Sequence, residues 1–231
     1  MKHKIYRIVC TALCCAPLLA TAQTGGKITS PQRLYEEGES LFRQKAFAAA
    51  MPPLQAFIKQ TDAEGAPVSA AGNKEEAEYM LVCAEYELRN PNSIELLREY
   101  LDTYPDTPHA NRICALIASA YFFEGKYDDA LAMFNSSRLD LLSNEERDDM
   151  TYRLATCYLK TGNVKEAAIW FETLRSTGSR YTADCTYYLA YIRYSQQRYD
   201  DALSGFLSLQ DNAKYEALVP YYIAEIYLIK K

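Results

Sequence analysis

The chain has 231 residues, of which 49% are hydrophobic and 24% are charged, with only nine glycines and nine prolines. This composition is typical of a folded protein and excludes general disorder. The formal net charge is −5, and Lys and Arg form no obvious cluster, so nucleic acid is excluded as an expected partner.

Residues 1–22 are predicted to be a secretory signal peptide that is cleaved before Gln23. Three basic residues precede an apolar run from Ile8 to Ala20, and Ala20-Thr21-Ala22 is typical of a cleavage site. The run is shorter than the roughly 20 residues that cross a bilayer, so we expect no transmembrane span. Cys14 and Cys15 lack the flanking residues of a lipid-attachment site. Without the signal, 22 Lys and Arg face 30 Asp and Glu, which gives a mature net charge of −8.

The first part of the mature chain predicts two irregular helical hairpins after a short linker over residues 23–30. Inside the second helix of the first hairpin lies Met51-Pro52-Pro53. Proline lacks a backbone donor, so this helix is expected to kink or to begin late. Residues 61–73 contain two glycines and a proline and predict a loop. In the second hairpin, Asn90-Pro91-Asn92 replaces the regular turn.

Three later segments share one pattern, which predicts tandem helical hairpins. Each has a turn, then an alanine in the following helix, then a phenylalanine four residues later; the alanines at 130, 167 and 202 lie 37 and 35 residues apart. Each first helix has a small residue where antiparallel helices approach closely. These residues are Gly38, Cys83, Ala118, Ala155, Ala190 and Ala224. Three residues after the small residue, five of these six first helices have Leu or Tyr, and the fifth helix in chain order has Arg193.

The last segment, residues 215–231, matches only the first helix of a sixth hairpin. It contains Val219, Tyr222 and Ile226, and it stops before the expected turn. A terminal helix of a solenoid normally has a polar outer face. We therefore expect either that the chain belongs to a longer repeat protein or that another chain completes this hairpin.

The turn with its following alanine and phenylalanine, the small residue of the preceding helix and the repeat period together resemble the tetratricopeptide repeat. The resemblance covers most of residues 31–231 and implies an all-α, right-handed solenoid of about five and a half hairpins. Residues 100–110 look like a junction of bacterial envelope members, such as the barrel-assembly lipoprotein and the coordinator of the Tol-Pal system. In the family, the concave side holds a peptide or an extended segment of a partner.

Few residues of the chain are suited to catalysis. His109 is the only histidine of the mature chain, and neither paired cysteines nor His-x-x-x-His is present, so we expect no enzyme activity, cofactor or metal. Acidic doublets such as Glu75-Glu76 lie near helix starts, where the helix dipole favours carboxylates. Four cysteines lie in apolar helical stretches and are expected to be buried thiols, with a disulfide as the alternative: Cys83, Cys114, Cys157 and Cys185.

Twenty tyrosines form the sharpest functional signal. Several occur three residues before the small residue of a first helix, a position that faces the concave groove in the resembled family. A tyrosine ring combines a large apolar face with a polar end, which suits recognition of an extended peptide. The alternative is that the rings only pack between neighbouring first helices. The candidate partner-binding residues are Tyr35, Phe122, Tyr152, Tyr187, Tyr191, Tyr194 and Tyr221.

We therefore expect an exported, non-enzymatic scaffold that binds a protein or peptide in a tyrosine-lined, acidic groove. Its expected location is the periplasm or the outer membrane of a Gram-negative bacterium, with envelope proteins as partners. One alternative is a glycan-binding protein built on the same repeats, since sugars stack on aromatic rings. Another is the helical arm of a longer enzyme.

Overall fold

The computed structural model describes residues 30–62 and 73–231, and within these ranges the regular structure is entirely helical. The predicted signal peptide, almost all of the linker and most of the predicted loop over residues 61–73 lie outside the described residues. The described α-helices are α1 (Pro31–Arg43), α2 (Phe47–Thr61), α3 (Lys74–Glu87), α4 (Ser93–Thr103), α5 (Ala110–Phe123), α6 (Tyr127–Asn135), α7 (Asn144–Lys160), α8 (Val164–Ser176), α9 (Thr182–Ser195), α10 (Tyr199–Leu207) and α11 (Val219–Ile229).

Consecutive helices pair as hairpins, which confirms the predicted all-α solenoid. The five hairpins are α1/α2, α3/α4, α5/α6, α7/α8 and α9/α10, and α11 packs after the last of them. A short 3₁₀ turn over Leu139–Leu141 precedes α7. The helix that contains Pro52 and Pro53 begins at Phe47, directly after the turn, so the expectation of a late start is wrong.

A residue in the left-handed backbone conformation marks the turn of each hairpin. These residues have φ between 58° and 83°, and they are Lys45, Arg89, Gly125, Gly162 and Gln197. Four of them follow the small residue of the first helix by seven positions, as Lys45 follows Gly38. In the second hairpin, the same spacing from Arg89 leads to Val82 instead of Cys83. The register of this hairpin therefore differs by one residue from the sequence prediction.

The small residues allow the paired helices to approach closely. A Cβ atom placed on Gly38 would lie 2.6 Å from the side chain of Leu54 in α2. In the fifth hairpin, a Cβ atom on Gly205 would lie 2.8 Å from the Cβ of Ala190. Because real Cβ contacts are rarely this short, a larger side chain at either position would push the helices apart.

The core follows the chain as successive clusters, as expected where each repeat packs only on its neighbours. Four hairpins bury a phenylalanine of their second helix: Phe57, Phe134, Phe171 and Phe206. The four described cysteines are free thiols in this structure, and only Cys114 is not fully buried. Burial raises the pKa of the other three thiols to about 12, so they remain protonated at neutral pH.

The last helix, α11, is covered on one side only by the described residues. Val219 and Ile226 are buried against the fifth hairpin, whereas Tyr227 and Leu228 are exposed. Ala224 is exposed as well, although Gly38, Ala118, Ala155 and Ala190 are buried at the same position of other first helices. None of the described helices has both the length and the apolarity needed to cross a membrane.

Candidate functional site

The predicted partner-binding residues lie in three separate places of the solenoid. Tyr35 is buried in the first hairpin, where its ring centroid lies 5.4 Å from that of Phe57. Phe122 is half-buried at the end of α5 and packs edge-on against Tyr127. The other five lie on first helices of the carboxyl-terminal half: Tyr152 on α7, Tyr187, Tyr191 and Tyr194 on α9, and Tyr221 on α11.

Tyr152 and Tyr187 join one hairpin to the next by ring stacking. Tyr152 stacks on Tyr181, which directly precedes α9, with a centroid distance of 4.4 Å and an interplanar angle of 11°. Tyr187 stacks in the same way on Tyr215 before α11, at 4.7 Å and 15°. Burial raises the pKa of both hydroxyl groups above the ordinary value. These two rings therefore have a structural role between repeats.

An aspartate three residues before each stacked tyrosine of α7 and α9 also contacts the segment that precedes the next first helix. The Tyr181 hydroxyl donates a hydrogen bond of 3.1 Å to Asp149, which also pairs with Arg180. At the next junction, Asp184 accepts hydrogen bonds from the hydroxyl of Tyr215 and from Lys214. At each junction, an aspartate and a tyrosine of one first helix thus contact a basic residue and a tyrosine that precede the next first helix.

The second hairpin forms a related junction with a histidine. The His109 ring stacks on Tyr79 at a centroid distance of 3.6 Å, and its Nε2 lies 2.8 Å from a carboxylate oxygen of Glu76. The junction aromatics follow their acids by 33, 32 and 31 residues along the chain. The sequence analysis did not predict these junction pairs. A signal was present, because an acidic residue occurs three positions before Tyr79, Tyr152 and Tyr187. The structure thus gives His109 a packing role.

Around α9 and α11, tyrosine side chains gather into one cluster. We define the tyrosine cluster as Tyr187, Tyr191, Tyr194 and Tyr222. Tyr222 is its centre, at 6.3 Å from Tyr191 and 5.4 Å from Tyr194, and it stacks on buried Phe206. Tyr191 is the accessible member, at 38% exposure. A hydrogen bond with Glu225 raises the pKa of Tyr194 to about 12. Tyr221, which the sequence analysis named as a candidate, is 75% exposed and lies apart from these rings.

Near the middle of the solenoid, an exposed phenylalanine lies between two guanidinium groups. Phe123 is 52% exposed, and the guanidinium carbons of Arg89 and Arg153 lie 4.9 Å and 5.0 Å from its ring centroid. Arg153 also donates a hydrogen bond of 2.6 Å to the hydroxyl of Ser119. These cation–π contacts keep charged groups beside an accessible apolar ring. The neighbouring Phe122, chosen from the sequence, is instead covered by the turn.

Two adjoining cavities, of about 330 and 480 Å³, extend from this ring toward the first hairpin. We call them together the arginine groove. Across it, Arg112 pairs with Glu146 at 2.7 Å, and Arg112 also donates to the hydroxyl of Tyr79. Its charged lining residues are Arg43, Lys45, Arg89, Arg112 and Arg153 with Glu87, Glu124, Glu145, Glu146 and Asp149. Five positive and five negative residues make the groove mixed in charge, whereas the chain as a whole is acidic.

Among the ionisable groups of the groove, Arg112 and Glu146 are held in place by their pair. Burial opposes ionisation of the Glu146 carboxyl, but the hydrogen bond from Ser143 and the charge of Arg112 outweigh it and lower the pKa of this carboxyl from its ordinary value. Within the described ranges, no three His, Cys, Asp or Glu side chains gather in a way that could hold a metal ion. The groove thus combines charged hydrogen-bonding groups with one exposed apolar ring, that of Phe123.

Comparison with known proteins shows which proteins have a similar fold. Residues 115–181, from α5 to the residue before α9, match the family model of the tetratricopeptide repeat. Among curated protein sequences, none matches this chain significantly. The structure is similar to a crystal structure of MamA, with a TM-score of 0.56 and 16% identity over 81% of this chain and 93% of that chain.

Two further solved structures have a similar fold. One is pilF of Pseudomonas aeruginosa, with a TM-score of 0.55 and 15% identity over 86% of this chain and 89% of that chain. The other is a kinesin light chain of Podospora anserina with tetratricopeptide-like repeats. Its TM-score is 0.53, and the identity is 15% over 82% of this chain and 99% of that chain. The chain thus folds as a tetratricopeptide solenoid, an architecture that generally presents surfaces to protein partners.

Proposed function

We propose that this protein is a non-enzymatic scaffold that binds an extended segment of a protein partner along its first helices. The observation that carries the proposal is the arginine groove, where Phe123 is exposed between Arg89 and Arg153. An accessible ring framed by fixed guanidinium groups offers an apolar anchor beside hydrogen-bond donors, which is the composition of many binding hot spots.

The partner segment is expected to carry an apolar side chain with polar groups on both sides. The apolar side chain would cover Phe123, while the backbone carbonyls of an extended segment would accept hydrogen bonds from Arg89. Arg89 has no ion-pair partner in the described part of the chain and is therefore available to a ligand. Tyr191 and Tyr221 would extend the contact toward the carboxyl-terminal end of the solenoid. Because the groove carries charges of both signs, we expect binding to weaken only moderately with salt.

The proposed place of action is the cell envelope of a Gram-negative bacterium, in its periplasm or at its outer membrane. Support comes from the signal-like residues 1–22, with three basic residues before an apolar run and an Ala-x-Ala end. Fusion of residues 1–30 to alkaline phosphatase, which is active only after export, tests this directly. We expect activity in the fusion and its loss when Leu13 and Leu18 are replaced by arginine.

Partner capture with designed variants tests the binding face. The bait is the chain from Gln23 onward, incubated with an envelope extract, in wild-type form and with Phe123→Ala or Tyr191→Ala. Leu141→Ala is the matched control, because Leu141 is a large exposed apolar residue that lines neither cavity. We expect a protein that binds the wild type and the control but is depleted from both the Phe123→Ala and the Tyr191→Ala variants.

The outcomes separate the proposal from its rivals. Capture that all three variants retain equally would remove the first-helix face as the binding site. Retention on a glycan column without any protein partner would favour the glycan-binding alternative. Each variant is accepted only if its helical circular dichroism and its thermal midpoint match those of the wild type.

A further inference from the structure

A second groove lies between α8 and α9, where the fifth repeat departs from the others. In the third and fourth repeats, the position three residues after the small residue is Tyr121 or Tyr158. Each tyrosine reaches the second helix of the preceding hairpin. Tyr121 accepts a hydrogen bond of 2.9 Å from Arg98, and Tyr158 lies 3.4 Å from Asn135. In the fifth repeat this position is Arg193.

The groove at Arg193 combines an open volume with exposed apolar surface. It has a volume of about 600 Å³ and is lined by Arg193, Ile192 and Leu189 of α9 and by Ile169 and Lys165 of α8, among others. Ile169 is 64% exposed, which is unusual for an isoleucine between two helices. The planar guanidinium group of Arg193 thus occupies the position at which the third and fourth repeats have a phenol ring.

Four charged residues line this groove, and the two without an ion-pair partner in the described residues are both positive. Arg198 is paired with Asp201, and Glu172 is paired with Arg175. Neither Arg193 nor Lys165 has an ion-pair partner among residues 30–62 and 73–231. Arg193 is moreover half-buried, so its charge is only partly solvated. A carboxylate from outside would gain more at this position than at a fully exposed arginine.

This groove is distinct from the proposed binding face. Arg193 follows Tyr191 by two residues, which turns it by about 200° around the helix. Arg193 therefore faces away from the tyrosine cluster, and no residue lining its groove lines the arginine groove. A ligand bound here would leave the first-helix face free for a second one.

We infer that the groove between α8 and α9 docks an acidic, amphipathic segment of a protein partner. One carboxylate of the segment accepts a paired hydrogen bond from the Arg193 guanidinium, since the two planar groups match in geometry. A neighbouring apolar side chain covers Ile169, and a second acidic group approaches Lys165. The protein would then hold two partners at once, one on each side of α9.

Selection from a displayed library of random 12-residue peptides tests this site. The immobilised protein is the chain from Gln23 onward, in wild-type form and as Arg193→Tyr. The variant installs the residue that the third and fourth repeats carry, so it fills the groove and is expected to keep the fold. We expect the wild type to enrich peptides with Asp or Glu beside an apolar residue. Their affinity should fall about tenfold or more on Arg193→Tyr and on exchange of the acids for amides.

Two controls make the result specific. Lys160→Gln removes an exposed cation outside this groove and should leave the affinity unchanged, and so should Phe123→Ala in the arginine groove. The inference is overturned if no peptide is enriched, if the enriched peptides lack acidic residues, or if Arg193→Tyr binds them as well as the wild type. Loss of binding in Phe123→Ala alone would assign the peptides to the proposed function instead.

Discussion

Replacing Asp184 by asparagine should weaken the carboxyl-terminal end of the solenoid strongly. Asp184 is only 7% exposed, and its carboxylate accepts hydrogen bonds from the Tyr215 hydroxyl and from Lys214. Asparagine keeps the size but removes the charge and turns an amide donor toward these two donors. A hydrogen bond to a charged group contributes about 1.5–3 kcal/mol, so we expect a loss of about 2 kcal/mol in the free energy of unfolding.

Urea unfolding followed by circular dichroism measures this loss, with Asp200→Asn as the matched control. Asp200 also pairs with a lysine, Lys230, but its side chain is 84% exposed. Exposed pairs contribute roughly 0–1 kcal/mol, so the control should shift the midpoint little. A double-mutant cycle with Tyr215→Phe should show coupling between Asp184 and Tyr215. Equal effects of Asp184→Asn and Asp200→Asn, or no coupling, would refute the stabilising role of the contacts that Asp184 makes with Lys214 and Tyr215.

Three further predictions concern other parts of the chain. Because the folded state lowers the pKa of Glu146 from its ordinary value, ionisation of this carboxyl stabilises the protein at neutral pH, and the contribution is lost as the pH falls through the folded-state pKa. The destabilisation by Glu146→Gln, measured in urea, should therefore be larger at neutral pH than in acid, whereas a pH-independent difference would contradict this reasoning. Gly162→Ala should cost about 1 kcal/mol because of its positive φ, and Gln197→Gly should stabilise the protein by a smaller amount; opposite signs in thermal denaturation would refute the turn assignment. In the chain from Gln23 onward, a thiol reagent should modify Cys114 first and the other three cysteines only after unfolding; four equal native rates would exclude their burial.

The hairpins could be predicted from sequence because their determinants are local. In the third, fourth and fifth hairpins, a left-handed turn residue, an alanine and a phenylalanine at fixed spacing define the helix pair within one repeat. The second hairpin shows where this fails: Arg89 takes the turn conformation without being glycine, and the small position falls on Val82. Neither residue has the usual chemistry of its position, so the prediction was displaced by one residue.

The exposure of the candidate binding residues was harder to predict, because burial of a ring depends on residues more than 25 positions away. Tyr152 and Tyr187 occupy the family's groove position, yet Tyr181 and Tyr215 of the next repeat cover them. Adjacent residues on a helix differ by about 100° in direction, so a pattern accurate to one residue does not separate an exposed ring from a packed one. For this reason the sequence pattern named Phe122, whereas the exposed ring is that of Phe123, and it could not tell that Tyr222 rather than Tyr221 joins the tyrosine cluster.

The most direct test of the binding face is site-specific photo-crosslinking in the living cell. A photoreactive phenylalanine analogue replaces Phe123, Tyr191 or Leu141, one at a time, and adducts are identified after irradiation. The proposed function predicts that positions 123 and 191 crosslink to the same partner protein and that position 141 does not. Adducts at position 141 only, or different partners at 123 and 191, would contradict a single extended segment bound along the first helices.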